Sequence, residues 1–176
     1  MGHSRAYPVF RTTDADAAYA RARALSGLLT EPRDEILVEA LIGTPARVRE
    51  VAKIVPGAWF EDAERQTYDP WGDSRRGRFP VWVCQEEAPR EVELPFLCAV
   101  GDDPASVWWR GTWPGPRGHP QFDGVQVTFH SDDVELEQPA ATHTVFLHVR
   151  RCPANRVREL AARAGCEVLG ESRVGW

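Results

Sequence analysis

The stretch ILVEALIGTPARVREVAKIVPG, residues 36–57, contains the clearest sequence of structural signals in this chain. Its first seven residues are apolar except for Glu39, a pattern that predicts a largely buried strand. The pair Thr44-Pro45 then supplies a hydroxyl that can cap a helix and a proline suited to the first helical position. Apolar side chains recur at helical spacing from there to Pro56-Gly57, where the helix ends. The stretch therefore predicts a strand, a helix and a turn, in that order.

A second stretch, VFLHVRRCPANRVRELAARAG at residues 145–165, repeats this order of signals. Within the two predicted helices, residues 47–50 and 156–159 are both RVRE. The shared order of strand, proline, helix and glycine is the firmer likeness, because each part has its own physical cause. Two β-α-β-like units, near residues 36–60 and 145–170, predict an α+β fold. We expect a mainly antiparallel sheet with helices on one face, in an elaborated ferredoxin-like plan.

The other segments predict extra elements around these two units. Residues 14–29 are alanine-rich and can be capped by Asp14 or Thr13, so they predict an extra N-terminal helix. The middle of the chain, residues 59–120, is rich in proline and glycine, which favours short strands and turns. Strands are predicted at residues 79–84, 94–100, 107–113, 125–129, 145–149 and 166–169, with a connecting loop at residues 85–93. Since no polar linker divides the chain, residues 1–176 are expected to form a single domain.

Composition argues against several classes of protein. The formal net charge of −5 argues against broad binding to the phosphate backbone of nucleic acids, even though Arg75, Arg76 and Arg78 lie close together. No apolar run is long enough for a transmembrane helix, and residues 1–10 lack the apolar core of a signal peptide. The four cysteines form no C-x-x-C pair, which favours reduced thiols. We therefore expect a cytoplasmic protein that binds neither membrane nor nucleic acid.

Histidines supply the candidate metal ligands. If the strands at residues 125–129 and 145–149 form a hairpin, His130 and His143 approach each other at its mouth. A carboxylate from Asp132 or Asp133 could then complete a site. His148 lies about 16 Å further along the strand, which argues against a compact site of three histidines. Ordinary surface and strand histidines are the simpler interpretation, so no metal and no cofactor are predicted.

Motifs for catalysis are absent from the sequence. There is no G-x-S-x-G elbow and no glycine-rich phosphate loop of the usual types. Cys152, just before Pro153, is the cysteine best placed for a lowered pKa at a helix N-terminus, but no histidine partner is recognisable. Whether the chain is an enzyme is therefore left open.

Tryptophan is the most unusual feature, with seven in the chain. In VWWRGTW, residues 107–113, strand alternation sends Trp109 to one face of the sheet and Trp108, with Arg110, to the other. One face should be core, and on the other an indole beside an arginine is a candidate binding anchor. Alternatively, both faces are covered and the indoles are structural. Trp71 lies in a long loop and is a better candidate for exposure.

Two hypotheses about function follow. The first is a non-catalytic binding protein, of the inhibitor or immunity type or an accessory protein, that engages a protein partner through acidic and tryptophan-rich surfaces. Its predicted binding residues are Trp71, Trp108, Arg110, Asp102, Asp103, Asp132 and Asp133. The alternative is a small-molecule-binding protein or enzyme with a pocket between the sheet and the long loops. In either case the acidic pairs could also be ordinary solvated loops.

Overall fold

A computed structural model describes residues 4–73, 77–115, 122–150 and 154–174, which contain four α-helices and eight strands. In chain order they are β1 (Arg5–Thr12), α1 (Ala15–Ser26), β2 (Glu35–Ile42), α2 (Pro45–Ile54), β3 (Trp59–Glu61), β4 (Val81–Pro89), α3 (Glu93–Val100), β5 (Ala105–Gly111), β6 (Asp123–Phe129), β7 (His143–Val149), α4 (Ala154–Arg163) and β8 (Arg173–Val174). The fold is therefore of the α+β class, as predicted.

All eight strands belong to one antiparallel sheet, in the order β3-β4-β2-β5-β6-β7-β1-β8. Strands β2 and β3 both pair with β4, so they run parallel to each other with β4 between them. Strands β7 and β8 flank β1 in the same way. The segments β2-α2-β3 and β7-α4-β8 thus each hold two parallel strands with one other strand inserted between them.

The helices share one hydrophobic core. Buried side chains of α1, α2, α3 and α4 pack in one cluster with alternate residues of the strands, among them Val38, Val107 and Val127. The cap of α2 is the predicted one, since the Thr44 hydroxyl accepts a hydrogen bond from the Arg47 backbone N–H. None of the described helices combines the length and the apolarity needed to cross a membrane.

Three predicted segments are wrong. Residues 94–100 form a helix, α3, because a short apolar run fits a buried helix as well as a buried strand. The carboxylate of Glu93 at its start accepts hydrogen bonds from the hydroxyl of Tyr19 and from Nε1 of Trp109, which fixes the helix against the sheet. Residues 85–89 continue β4 instead of forming a loop. Residues 166–169 are not a strand, and the sheet ends instead at β8.

Strand β1 is not among the predicted strands. Its sequence, RAYPVFRT, holds a proline and a register shift between Pro8 and Phe10, so neither alternation nor an apolar run marks it. Pairing with β7 nevertheless places Ala6 and Val9 in buried positions. Tertiary pairing thus overrides a weak local signal.

Gly124 allows β5 and β6 to approach closely at the centre of the sheet. Its φ is 158°, and a Cβ built there would lie 2.3 Å from the Trp109 carbonyl oxygen and 2.6 Å from Nε1 of Trp108. Real Cβ atoms essentially never come so near to backbone atoms, so this position requires glycine.

We expect Gly124→Ala to lower the free energy of unfolding by about 2–4 kcal/mol, because the new methyl group has to displace backbone atoms of β5. Gly170→Ala is the matched control: a Cβ added there would meet no atom within 4 Å, and we expect a change within about 0.5 kcal/mol. Urea denaturation of both variants measures this. Equal stability of the two variants would contradict the steric argument.

Candidate functional site

The face of the sheet opposite the helices is built largely from buried polar side chains. Its buried polar residues in the central strands are Glu39, Ser106, Gln126, Thr128, Thr144 and His148. The segment at residues 131–140 covers part of this face, with Val134 packed against Ala6 and Phe146. The amide of Gln126 donates to the carbonyl oxygen of Val134 at 3.0 Å and so ties this segment to the sheet.

A network of hydrogen bonds runs across this face from Ser4, just before β1, to Glu39 in β2. The Ser4 hydroxyl lies 3.2 Å from Nδ1 of His148, whose Nε2 is 2.8 Å from the amide oxygen of Gln126. The amide nitrogen of Gln126 donates to the Ser106 hydroxyl at 3.2 Å, and that hydroxyl donates to Oε2 of Glu39 at 3.3 Å. Because an amide oxygen only accepts, Nε2 of His148 carries the hydrogen and Nδ1 accepts from Ser4.

The two titratable groups of this hydrogen-bond network, His148 and Glu39, are uncharged near neutral pH. Burial lowers the pKa of His148 to about 3. The pKa of Glu39 is raised to about 8, mainly by burial; the Ser106 hydrogen bond opposes this rise, and the nearby carboxylates of Glu135 and Glu86 contribute to it. A network that crosses four strands thus holds a neutral imidazole at one end and a protonated carboxyl at the other.

Glu39 also lines a cleft, here called the acidic cleft, of about 630 Å³. Its lining residues are Glu39, Leu41, Glu61, Asp62, Ala63, Arg65, Pro80, Trp82, Glu135 and Glu137. Strand register builds its floor, since Leu41 and Glu61 both pair with Trp82. The cleft therefore opens between the sheet and two loops, with carboxyl groups on both sides.

A second cleft lies at the β3 edge of the sheet and is here called the aromatic cleft. It has a volume of about 480 Å³ and is lined by Ala52, Pro56, Ala58, Trp59, Phe60, Thr67, Tyr68, Asp69, Pro70 and Trp71. Trp59 is 60 % exposed and Trp71 is 61 % exposed, the two highest values among the described aromatic residues. Two large indoles thus face solvent around one concave site.

The wall that carries Trp71 is held in place by hydrogen bonds. The Trp71 backbone N–H donates to Oδ1 of Asp69 at 2.9 Å, and Nε of Arg49 on α2 donates to the Pro70 carbonyl oxygen at 3.2 Å. The ring of Tyr68 packs edge-on against Phe79, with 5.8 Å between the centroids. These contacts fix one wall of the aromatic cleft against the rest of the fold.

Trp108 and Arg110 lie inside the fold. The predicted alternation is confirmed, because Trp109 enters the main core whereas Trp108 packs with Leu37 and Cys84 on the opposite face. The Arg110 guanidinium lies over the Trp108 ring, 5.8 Å from its centroid, and donates to the Glu86 carbonyl oxygen. Of the predicted aromatic binding residues, Trp71 faces solvent and Trp108 is buried.

In the pair Asp102-Asp103, the first carboxylate is exposed and the second forms a salt bridge and a hydrogen bond within the fold. Asp102 has a side chain 98 % exposed and lies 4.0 Å from Nε2 of His130. Asp103 bonds to Arg47 at 3.0 Å and accepts from the Gly43 backbone N–H at 3.2 Å. Asp103 thus joins the start of α2 to the turn before β5.

The pair Asp132-Asp133 organises the segment that covers the polar face. Asp132 lies 3.4 Å from Nε of Arg11 and accepts from two threonine hydroxyls, Thr142 and Thr144. Asp133 is buried and accepts three backbone N–H groups, those of residues 135, 137 and 138. Both carboxylates therefore have a structural role in holding this segment.

His130 and His143 approach each other as predicted, with their ring centroids 4.7 Å apart. Nδ1 of His143 accepts the His130 backbone N–H at 3.1 Å, so this nitrogen is already engaged. Burial lowers the pKa of His143, and the neighbouring His130 lowers it further. Within the described ranges, no three histidine, cysteine or carboxylate side chains are grouped so that they could hold a metal ion.

Comparisons with protein-family models, with curated proteins and with solved structures find no match to this chain. Sequence reasoning did not single out Glu39 or Trp59 as site residues, although Glu39 is the single charge in a buried strand, which was a usable signal. Arg75, Arg76, Cys152 and Pro153 lie outside the described residues.

Glu39→Gln tests the buried carboxyl through stability. The folded protein keeps a proton on Glu39 that the unfolded chain releases above about pH 4.5, so this group makes stability fall as the pH rises towards about 8. The slope approaches about 1.4 kcal/mol per pH unit at most. We expect the stability of Glu39→Gln relative to wild type to rise by roughly 3 kcal/mol between about pH 5 and about pH 8.

Urea denaturation across this range measures the difference between the two proteins. His148, with its lowered pKa, acts in the opposite direction at lower pH, where the unfolded chain gains a proton. It is present in both proteins and cancels in the difference. A difference that stays constant with pH would show that Glu39 titrates normally.

Proposed function

We propose that this chain is a non-catalytic cytoplasmic binding protein that engages a protein partner through the aromatic cleft. The observation that carries the proposal is the pair of indoles, Trp59 and Trp71, each about 60 % exposed around one concave site. Tryptophan is among the residues that contribute most to binding energy at protein interfaces. Exposed indoles also lose little conformational entropy on binding, because each has only two side-chain torsions.

The chemistry of the aromatic cleft favours an extended, proline-rich segment of the partner. Such segments adopt a polyproline II helix before binding and dock in grooves lined by aromatic rings. Trp59, Tyr68 and Trp71 provide such rings, and their positions are set by the contacts of the loop. Asp69 in the lining and the net charge of −5 favour basic residues beside the prolines.

An inhibitor, immunity-type or accessory protein fits this mode of binding. The acidic balance of the chain supports a basic protein partner and argues against nucleic acid as the ligand. Among the predicted binding residues, Trp71 and Asp102 are exposed and can meet a partner directly. Trp108, Arg110 and Asp133 are buried, and Asp103 and Asp132 are engaged in hydrogen bonds within the fold, so these five residues have structural roles.

For the architecture we propose a ferredoxin-like arrangement in each half of the sheet. The order β3-β4-β2-β5, with α2 and α3 as connections, is that of a split β-α-β unit followed by a second one. The order β8-β1-β7-β6 repeats it, with α4 after β7 and α1 after β1. On this proposal α1 is the second helix of the outer half, and the inner half is inserted between α1 and β6.

A small-molecule-binding protein or enzyme is the second candidate function. The observation that favours it is the acidic cleft, which lies between the sheet and the loops and has the volume of an ordinary ligand site. The buried carboxyl of Glu39 on its floor is the kind of perturbed group found at functional sites.

Replacing both exposed indoles tests the first proposal. The probe is a fluorescein-labelled oligoproline peptide with a terminal arginine, and fluorescence anisotropy measures its binding. We expect Trp59→Ala/Trp71→Ala to weaken binding by about tenfold or more, because the rings that pack on the prolines are lost. Both indoles are largely exposed, so the fold should persist, which circular dichroism checks.

Leu169→Ala is the matched control, because it removes an exposed apolar side chain at the opposite end of the sheet, beside β1. We expect binding of the peptide to be unchanged in this variant. Equal binding by all three proteins would place the peptide elsewhere and overturn the assignment of the aromatic cleft. If the peptide does not bind to the wild-type protein, the proposal that the partner's segment is proline-rich is wrong.

A further inference from the structure

We propose that the acidic cleft binds a small organic monocation, with its ammonium or guanidinium group between the Glu39 carboxylate and the Trp82 ring. This inference deepens the second candidate function, on which it rests, and is independent of partner binding at the aromatic cleft. Four observations carry it: the charge of the lining, the burial of Glu39, the shape of the cleft and its aromatic floor.

The lining of the acidic cleft is strongly negative. Five of its lining residues carry carboxyl groups, Glu39, Glu61, Asp62, Glu135 and Glu137, against one cation, Arg65. The Arg65 side chain is 81 % exposed and its guanidinium lies 3.7 Å from Oε2 of Glu61, so it is directed to the rim. A cleft lined by one sign of charge concentrates ligands of the opposite sign.

Glu39 provides an observation that does not depend on the acidic rim. Its side chain is only 2 % exposed yet lines the cleft, and no described ion pair includes it. The groups that act on its ionisation are Glu135 and Glu86, which oppose it, and the Ser106 and Cys84 side chains, which favour it by hydrogen bonding. A buried carboxyl without a counter-cation is costly to ionise, so a cation that enters beside it gains an unusually strong interaction.

The cleft suits an organic cation better than a metal ion. A volume of about 630 Å³ lies in the usual range for small-molecule sites. Throughout the described residues no three potential metal ligands converge, so the carboxyl groups of the cleft are too dispersed to coordinate one ion. The half-buried ring of Trp82 packs on the cluster of Leu37, Cys84 and Trp108 and borders the cleft. Such a ring attracts ammonium and guanidinium groups.

The hydrogen bonds around Glu39 are compatible with its ionised form. The Ser106 hydroxyl donates to Oε2 of Glu39, and its own oxygen accepts from Gln126. The Ser106 hydroxyl hydrogen therefore points to Glu39 whether that carboxyl group is protonated or ionised. When the cation binds, the carboxyl proton leaves to the buffer and the ligand charge replaces it. Below the pKa of Glu39, at about 8, binding of one cation is therefore expected to release up to one proton.

Isothermal titration calorimetry of the full chain tests the proposal with butylguanidinium and its neutral isostere, butylurea. We expect butylguanidinium to bind about tenfold or more tightly than butylurea. Its affinity should rise from about pH 6 to about pH 8 and then level off, because ionised Glu39 is required. Titrations in buffers of different ionisation enthalpy should report the released proton.

Three variants locate the site. In Glu39→Gln we expect affinity for butylguanidinium to fall by about tenfold or more at the upper end of the pH range, with loss of the pH dependence. Glu137→Gln, which removes an exposed carboxylate of the same cleft, should give a smaller loss and keep the pH dependence. Trp82→Leu, which leaves Glu39 in place, should weaken binding several-fold and should also keep the pH dependence.

Each other outcome overturns the proposal in a distinct way. Equal affinity for butylurea would keep a ligand site in the acidic cleft but remove the cation as its ligand. Unchanged binding in Glu39→Gln and Trp82→Leu would place the cation outside this cleft. Absence of binding by butylguanidinium at every pH would reject the site, with no bearing on the peptide experiment at the aromatic cleft.

Discussion

The pairing of β5 with β6 is the contact on which the rest of the sheet depends. It is the junction between the β3-β4-β2-β5 half and the β6-β7-β1-β8 half, and every residue of both strands is buried. The pairing needs glycine at position 124, where the β5 backbone and the Trp108 indole leave no room for a side chain. Through β5 it sets Trp109 in the core beneath the helices and Trp108 on the opposite face.

The two faces of this sheet follow different physical rules. The helical face is apolar and gains its stability from burial, whereas the other face keeps buried polar groups that must be satisfied by one another. The hydrogen-bond network from Ser4 through His148 and Gln126 satisfies these buried groups with neutral partners. It ends at Glu39, where the covering segment stops and the acidic cleft begins. A polar network that reaches an open cleft is a natural place for a ligand.

The two clefts share one strand register. Cys84 pairs with Trp59 on one side and with Glu39 on the other, so the exposed indole of the aromatic cleft and the buried carboxyl of the acidic cleft lie in one row across β3, β4 and β2. The short edge strand β3 contributes to both sites: Trp59 to the first and Glu61 to the second. A partner at the sheet edge and a small ligand on its face would therefore act on the same strands.

Local signals in the sequence are sufficient for several elements. The helix after Thr44-Pro45 and the strands at residues 125–129 and 145–149 are set by capping and periodicity. The meeting of His130 and His143 depends on the pairing of those two strands, which the sequence allowed but did not fix. Long-range packing makes 94–100 a helix and RAYPVFRT a strand, because a short apolar run and a proline-containing segment take their form from neighbours. The same holds for the sites. Exposure of Trp59 and burial of Glu39 depend on strands and loops that are distant along the chain. Those neighbours set both the solvent access and the pKa of a side chain.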